Sequence, residues 1–153
     1  MPIQGPPSHI DISVGEPGPA IAFYGTLLEA LGYRRMRVAQ PDFEGDVPLR
    51  ACWAIEYPGG GWFGIEVRPA SGPNRARAYD RYAPGPHHTA FHADSPASVD
   101  AVHARMVEGG FRVLDPPTDY SGHPAYSEGY YAAFFADPDG YKIEVVYEPR
   151  SNP

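Results

Sequence analysis

The chain has 153 residues, 42% of them hydrophobic and 13% aromatic, enough for one well-buried core and too short for two ordinary domains. Its net charge of −7 opposes a phosphate-binding surface, so nucleic acid is excluded as a partner, although Arg34, Arg35 and Arg37, and Arg75, Arg77 and Arg81, leave room for an anionic small molecule. With no apolar run of membrane-spanning length, no basic-then-apolar leader and a single cysteine, Cys52, the sequence predicts a cytoplasmic protein without a membrane partner or an internal disulfide.

In chain order, Ile10, Ile12 and Val14 alternate with His9, Asp11 and Ser13, the period of a half-buried strand that puts the second set on one face. Ile21, Phe23, Tyr24, Leu27, Leu28 and Leu31 recur at helical spacings over about 19–30, and Gly32 suits the helix end. Strands are predicted over about 33–38, 50–57 and 62–68, with Pro58-Gly59-Gly60-Gly61 as a hairpin turn and Cys52 as a buried strand residue. A linker rich in Pro, Gly and Arg follows over 69–86.

The second half repeats this order. His88–Ala93 reads as a strand, Ser95 and Pro96 as the cap and first residue of a helix, and Val99, Val102, His103 and Met106 as its apolar stripe, closed by Gly109-Gly110. Strands follow over 111–114, 130–136 and 141–147, the last two joined by Asp137-Pro138-Asp139-Gly140. The loop over 115–129 carries Tyr120, His123 and Tyr126 and is placed to cover a site. The expectation is one α+β domain over 1–153 of two βαβββ modules, 8–68 and 87–148.

Each module holds one His and one Glu at nearly the same separation: His9 and Glu66 are 57 residues apart, His88 and Glu144 are 56 apart. All four alternate with apolar neighbours and so point away from the helix-covered face. Two imidazoles and two carboxylates meeting in one cavity would suit a divalent first-row metal, since paired buried carboxylates without a cation are costly. Glu66 is the weakest member, because His9, His88 and Glu144 alone form a two-His-one-carboxylate set. Asp11, Ser13 and His92 are candidate pocket residues on the same faces. If the flanks of the Asp137–Gly140 turn pair directly, Tyr131, Ala133 and Phe135 share the face of Glu144, and by the repeat Trp53 lies opposite Glu66. Trp53 and Tyr131 would then wall the substrate cavity.

Ser8-His9-Ile10-Asp11-Ile12, Ala22-Phe23-Tyr24, His88-Thr89-Ala90-Phe91 and Phe135-Ala136-Asp137-Pro138-Asp139-Gly140-Tyr141-Lys142-Ile143-Glu144 together resemble the vicinal oxygen chelate superfamily of glyoxalases, extradiol dioxygenases and bleomycin-resistance proteins, over about 8–148. The resemblance implies two βαβββ modules forming a cupped mixed sheet around a central cavity. It also implies a metal (Zn, Ni, Fe, Mn or Co) on His9, Glu66, His88 and Glu144. The activity it implies is a glyoxalase-like lyase or isomerase acting on a small oxygen-rich substrate through a metal-chelated enediolate, with Glu144 or Glu66 moving the proton. Glyoxalase I usually has an arginine four residues after its first histidine, where this chain has Ser13. The alternatives are an Fe(II) extradiol-type dioxygenase and a non-catalytic drug- or metabolite-binding protein. A homodimer is expected, because the superfamily assembles its sites both within and between chains.

Overall fold

The computed structural model describes residues 7–37, 43–44, 47–57 and 60–149. Two compact units divide the chain, Met1–Arg77 and Ala78–Pro153. In the first, β1 (His9–Val14) leads to α1 (Pro17–Ala30), β2 (Arg34–Met36), the two-residue strands β3 (Phe43–Glu44) and β4 (Val47–Pro48), β5 (Ala51–Glu56) and β6 (Trp62–Pro69). The second contains β7 (His88–His92), α2 (Pro96–Glu108), β8 (Arg112–Asp119), β9 (Tyr131–Ala136) and β10 (Lys142–Tyr147). The β3–β4 ladder is an addition to the predicted elements; Val38, Pro58 and Gly59 lie outside the described residues.

Both units have the same topology. One sheet runs β1-β6-β5-β2 and the other β7-β10-β9-β8, each with one parallel pair (β1–β6, β7–β10) and antiparallel pairs for the rest. The parallel pair follows from the helix, which carries the chain from one edge strand of each sheet to the other; close connections join β5 to β6 and β9 to β10, and longer ones join β2 to β5 and β8 to β9, all antiparallel. In each unit the helix covers one sheet face. Phe23, Tyr24, Leu27 and Leu28 of α1 are buried with Trp53, Ile65 and Val67, and Val99, Val102 and Met106 of α2 with Phe135, Ile143 and Val145.

The helix ends are repeated too. Tyr33 N–H reaches Leu28 O (2.9 Å) and Gly32 N–H reaches Glu29 O (3.1 Å); Phe111 N–H reaches Met106 O (3.0 Å) and Gly110 N–H reaches Val107 O (3.0 Å). These are two copies of the same C-terminal motif, and Gly32 (φ 87°) and Gly110 (φ 72°) occupy its left-handed position as predicted. Ser95 caps α2 as predicted, its hydroxyl accepting from Ser98 N–H at 3.2 Å.

One strand is longer than its sequence suggests. β8 continues through Pro116-Pro117 to Asp119, with register shifts between Val113 and Asp115 and between Asp115 and Thr118. Proline donates no hydrogen bond to a ladder, so the diproline is accommodated by bulges in a strand at the end of its sheet. Among the described residues no helix is long and apolar enough to cross a membrane.

Candidate functional site

Register brings each His to its Glu. On β1 and β6, His9 lies beside Gly64, which places Glu66 one same-face step further along; on β7 and β10, His88 lies beside Lys142, with Glu144 one same-face step further. The two ladders agree in this respect, so the repeated spacing is a repeated diagonal placement across a parallel strand pair. Gly64 also leaves room at the crossing: a Cβ there would stand 3.5 Å from the His9 Cβ.

The second unit builds the tighter half. Glu144 is 3% exposed on a face shared with Ala132, Phe134 and Val146, a costly setting for a carboxylate unless both oxygens find partners. They do: His88 Nε2 lies 3.1 Å from Oε2, and the Tyr130 hydroxyl donates a short hydrogen bond to Oε1. Burial, followed by the bond to Glu144 and its charge, pushes the Tyr130 phenol well above its usual range, which keeps it a neutral donor. The other nitrogen of His88, Nδ1, is 2.8 Å from His87 Nδ1. Crowding raises the cost of charge on His87: desolvation first, then His88, Lys142 and Arg81, lower its pKa.

The loop before β9 surrounds Tyr130 with rings. Tyr126 is 4.6 Å from Tyr130, Tyr120 is 5.2 Å from Tyr126 and 6.0 Å from Phe134, and His123 is 5.2 Å from Tyr126, all centroid to centroid. Tyr120 N–H to Tyr130 O (2.8 Å) and Gly129 N–H to the Ser121 hydroxyl (2.9 Å) close the loop's base. The loop expected to cover a site therefore packs on the face that carries Glu144.

The first unit treats its glutamate differently. Arg50 donates to Glu66 Oε1 through Nε (2.9 Å) and through a shorter contact from its terminal nitrogen. Beside it Arg68 pairs with Asp11 at 3.0 Å, and Asp11 is the direct register neighbour of Glu66. Two carboxylates and two guanidiniums thus balance on one face. His9 is exposed, its Nδ1 lying 3.3 Å from the Ser8 hydroxyl, and Ser13 is exposed on the same strand face. Cys52 sits directly opposite Glu66 and is half-buried, not buried as expected; desolvation, then Glu66 and Asp11, raise its pKa.

Two predicted site residues belong elsewhere. Glu144 pairs with Phe134 and Glu66 with Cys52, so the carboxylate face carries Ala132, Phe134 and Cys52, and the alternate residues Tyr131 and Trp53 face the helices. Tyr131 donates to Asp100 of α2 (2.8 Å), while Trp53 is fully buried and donates to Glu29 of α1 (3.2 Å). For Tyr131 the cause is the β9–β10 connection; the expectation for Trp53 rests only on analogy with it, and its own β5–β6 ladder sets Trp53 opposite Ile65. Asp137, buried, accepts from Asp139 N–H (3.0 Å) and Tyr141 N–H (2.8 Å), which draws Tyr141 into the loop and makes Ala136 pair with Lys142 instead of Tyr141. A one-residue slip inverts every side chain of a strand. His92 does share the exposed face of His88 on β7.

Sequence reading passed over Tyr130 and Arg50. Tyr130-Tyr131 is a pair of like residues at a strand start, and a period of two obliges one of them to face each way; Arg50 precedes Cys52 by two and so shares its face.

The donor set fits a metal in part. Two ligands with bonds near 2.1 Å set at right angles are about 3 Å apart, and the 3.1 Å between His88 Nε2 and Glu144 Oε2 matches that spacing. Among the described residues no three His, Cys, Asp or Glu side chains converge on a cation position. Each unit by itself presents one His and one Glu on the same sheet face.

Two mixed sheets, each backed by one helix and each presenting a His–Glu diagonal, define the α+β class of the glyoxalase-like fold. The model of the Glyoxalase/Bleomycin resistance protein/Dioxygenase superfamily matches residues 7–145, and the chain belongs to that family. The uncharacterized protein YqjT of Bacillus subtilis (strain 168) is 30% identical over 139 residues, 90% of this chain and 95% of that one. A candidate glyoxalase of Bacillus halodurans has a similar solved structure, with TM-score 0.66 and 25% identity over 94% of this chain and 96% of the other. Lactoylglutathione lyase of Agrobacterium tumefaciens shares the fold, with TM-score 0.55 and 18% identity over 95% of each chain.

Proposed function

We propose that the protein is a divalent-metal-dependent lyase or isomerase of the glyoxalase-like kind, acting on a small oxygen-rich substrate. One observation carries this reading. A His–Glu diagonal recurs at the same register in both units, and in the second its nitrogen and oxygen stand 3.1 Å apart with the carboxylate buried. In the proposal His9, Glu66, His88 and Glu144 are the cation's ligands, and the protein is a homodimer. When bound, such a cation supplies Lewis-acid stabilisation of charge developing on a substrate oxygen.

The protein's own groups do the rest. Glu144, anchored through Oε1 by Tyr130, offers Oε2 to the cation beside His88. Glu66 is held by Arg50 through Oε1 alone, and its Oε2 is the candidate for taking and returning a substrate proton. Asp11, Ser13 and His92 line the same strand faces and are proposed to orient the substrate. The aromatic loop over 120–130 keeps water from the Glu144 side.

Metal content of protein purified without chelator, measured beside His88→Ala and Glu144→Gln variants, tests the reading. Near-stoichiometric metal in the parent and little in the variants is expected. Negligible metal in all three rejects it. A second reading has the Arg50–Glu66 ion pair in its favour. With Glu66 withheld, His9, His88 and Glu144 form the two-His-one-carboxylate set suited to Fe(II) and dioxygen chemistry. Oxygen uptake with catechols after anaerobic Fe(II) loading separates the two, since the isomerase reading expects none.

A further inference from the structure

Both glutamates have a partner on the β5 or β9 side, yet the two partners differ in kind. Glu66 receives a cation, Arg50, from the residue two before its cross-strand neighbour; Glu144 receives a neutral phenol, Tyr130, from the residue four before its own. A guanidinium neutralises the carboxylate it touches. A phenol fixes one oxygen and leaves the charge in place.

Tyr130 is also held more firmly than a loop residue need be. Its ring contacts Tyr126 (4.6 Å) and Tyr120 (6.5 Å), and its backbone is tied on both sides, N–H to Ser127 O (3.2 Å) and C=O from Tyr120 N–H (2.8 Å). The loop thereby aims one hydroxyl at Glu144 Oε1, opposite the oxygen that faces His88. A carboxylate with one oxygen so engaged can offer a cation only the other.

Resting on the metal reading above, we infer that Tyr130 is a positioning residue that makes Glu144 a one-oxygen ligand, with the Tyr120–Tyr126 loop serving to lock the phenol in place. Orienting partners of this sort are worth roughly 10–100-fold in metal affinity.

The test uses Co(II) alone, titrated into metal-free full-length protein and followed by its visible absorption. For the parent a saturable spectrum is expected. Tyr130→Phe should weaken Co(II) binding by about 10–100-fold and alter the intensity of the spectrum, as the freed Oε1 enters the coordination sphere. Tyr120→Phe keeps the ring cluster and should match the parent. Incorporation of 4-aminophenylalanine at position 130, which retains a donor at the same ring position, should restore parental affinity and spectrum. If Tyr130→Phe does not fold, the 4-aminophenylalanine protein still decides: a parental spectrum supports the assignment and a lost or altered one overturns it. Identical Co(II) affinity and spectrum in Tyr130→Phe overturn the role of Tyr130 while leaving the metal reading intact. No Co(II) bound by the parent overturns both.

Discussion

Tyr130 and Tyr131 are adjacent tyrosines whose hydroxyls both meet a carboxylate, and removing either oxygen leaves the ring and its packing in place. Tyr130 donates to Glu144, which is 3% exposed; Tyr131 donates to Asp100 on the exposed side of α2. A hydrogen bond to a buried charge is worth about 1.5–3 kcal/mol, because losing it strands an oxygen that water reaches poorly. The surface bond exchanges with water, so its loss should fall within about 0.5 kcal/mol. For a urea dependence of about 2 kcal/mol per molar, Tyr130→Phe should lower the unfolding midpoint by about 0.7–1.5 M and Tyr131→Phe by no more than about 0.25 M. Far-ultraviolet circular dichroism reports the transition, since both tyrosines lie in the second unit while Trp53 lies in the first. In the Glu144→Gln background the cost of Tyr130→Phe should change by about 1 kcal/mol or more, the coupling expected of groups in contact. Equal midpoint losses for the two tyrosines, or strictly additive effects with Glu144→Gln, would show that Tyr130 does not serve Glu144.

Three other outcomes follow from the same geometry. Arg50→Met frees Glu66 from a charge-assisted pair worth about 1.5–3 kcal/mol, so Zn(II) affinity measured by competition with a chromophoric chelator should rise about tenfold or more; unchanged affinity would remove Glu66 from the ligand set. Trp53→Ala should cost about 3–5 kcal/mol in the urea midpoint and leave metal affinity unaltered in the folded protein, whereas lost affinity at retained stability would return Trp53 to the site. Burial, with a smaller contribution from Tyr57, pushes Tyr33 up to about 12. A phenol held protonated in the folded state favours folding below the unfolded value near 10 and loses that advantage as pH rises through 12, so stability should decline between pH 10 and 12 and Tyr33→Phe should flatten the decline.

Much of the architecture was legible because it is encoded locally and twice. Gly32 and Gly110 meet the same backbone demand at the ends of two helices, Ser95-Pro96 opens α2 by capping chemistry, and alternation alone assigned His9, His88, Glu66 and Glu144 to the faces without a helix. The errors lie where one side chain decides a register. Asp137-Pro138-Asp139-Gly140 looks like a four-residue turn, but Asp137 binds Tyr141 through its carboxylate and its backbone N–H, and the connection is one residue longer. The resulting register puts Tyr131 on the helix side and Tyr130 beside Glu144. The diproline in β8 misled for a related reason, since proline signals an end to pairing unless a bulge at the end strand accommodates it.

The two glutamates show what a repeat can and cannot convey. Equal spacing establishes equal position, and the ladders carry that out: each Glu lies one same-face step beyond the residue beside its His. Chemical role depends on the next layer of contacts, which the repeat does not preserve. Arg50 lies two residues before Cys52, while the equivalent position before Phe134 is Ala132, a residue with no donor on its side chain. The second unit fills that gap from further back, with the Tyr130 hydroxyl on Oε1 while Oε2 faces His88. Positions equivalent in the repeat are therefore inequivalent in their contacts: one glutamate is paired with a guanidinium, and the other meets a phenol and an imidazole. This divergence singles out Glu144 as the anchor of the proposed site and Glu66 as the member that must first part from Arg50.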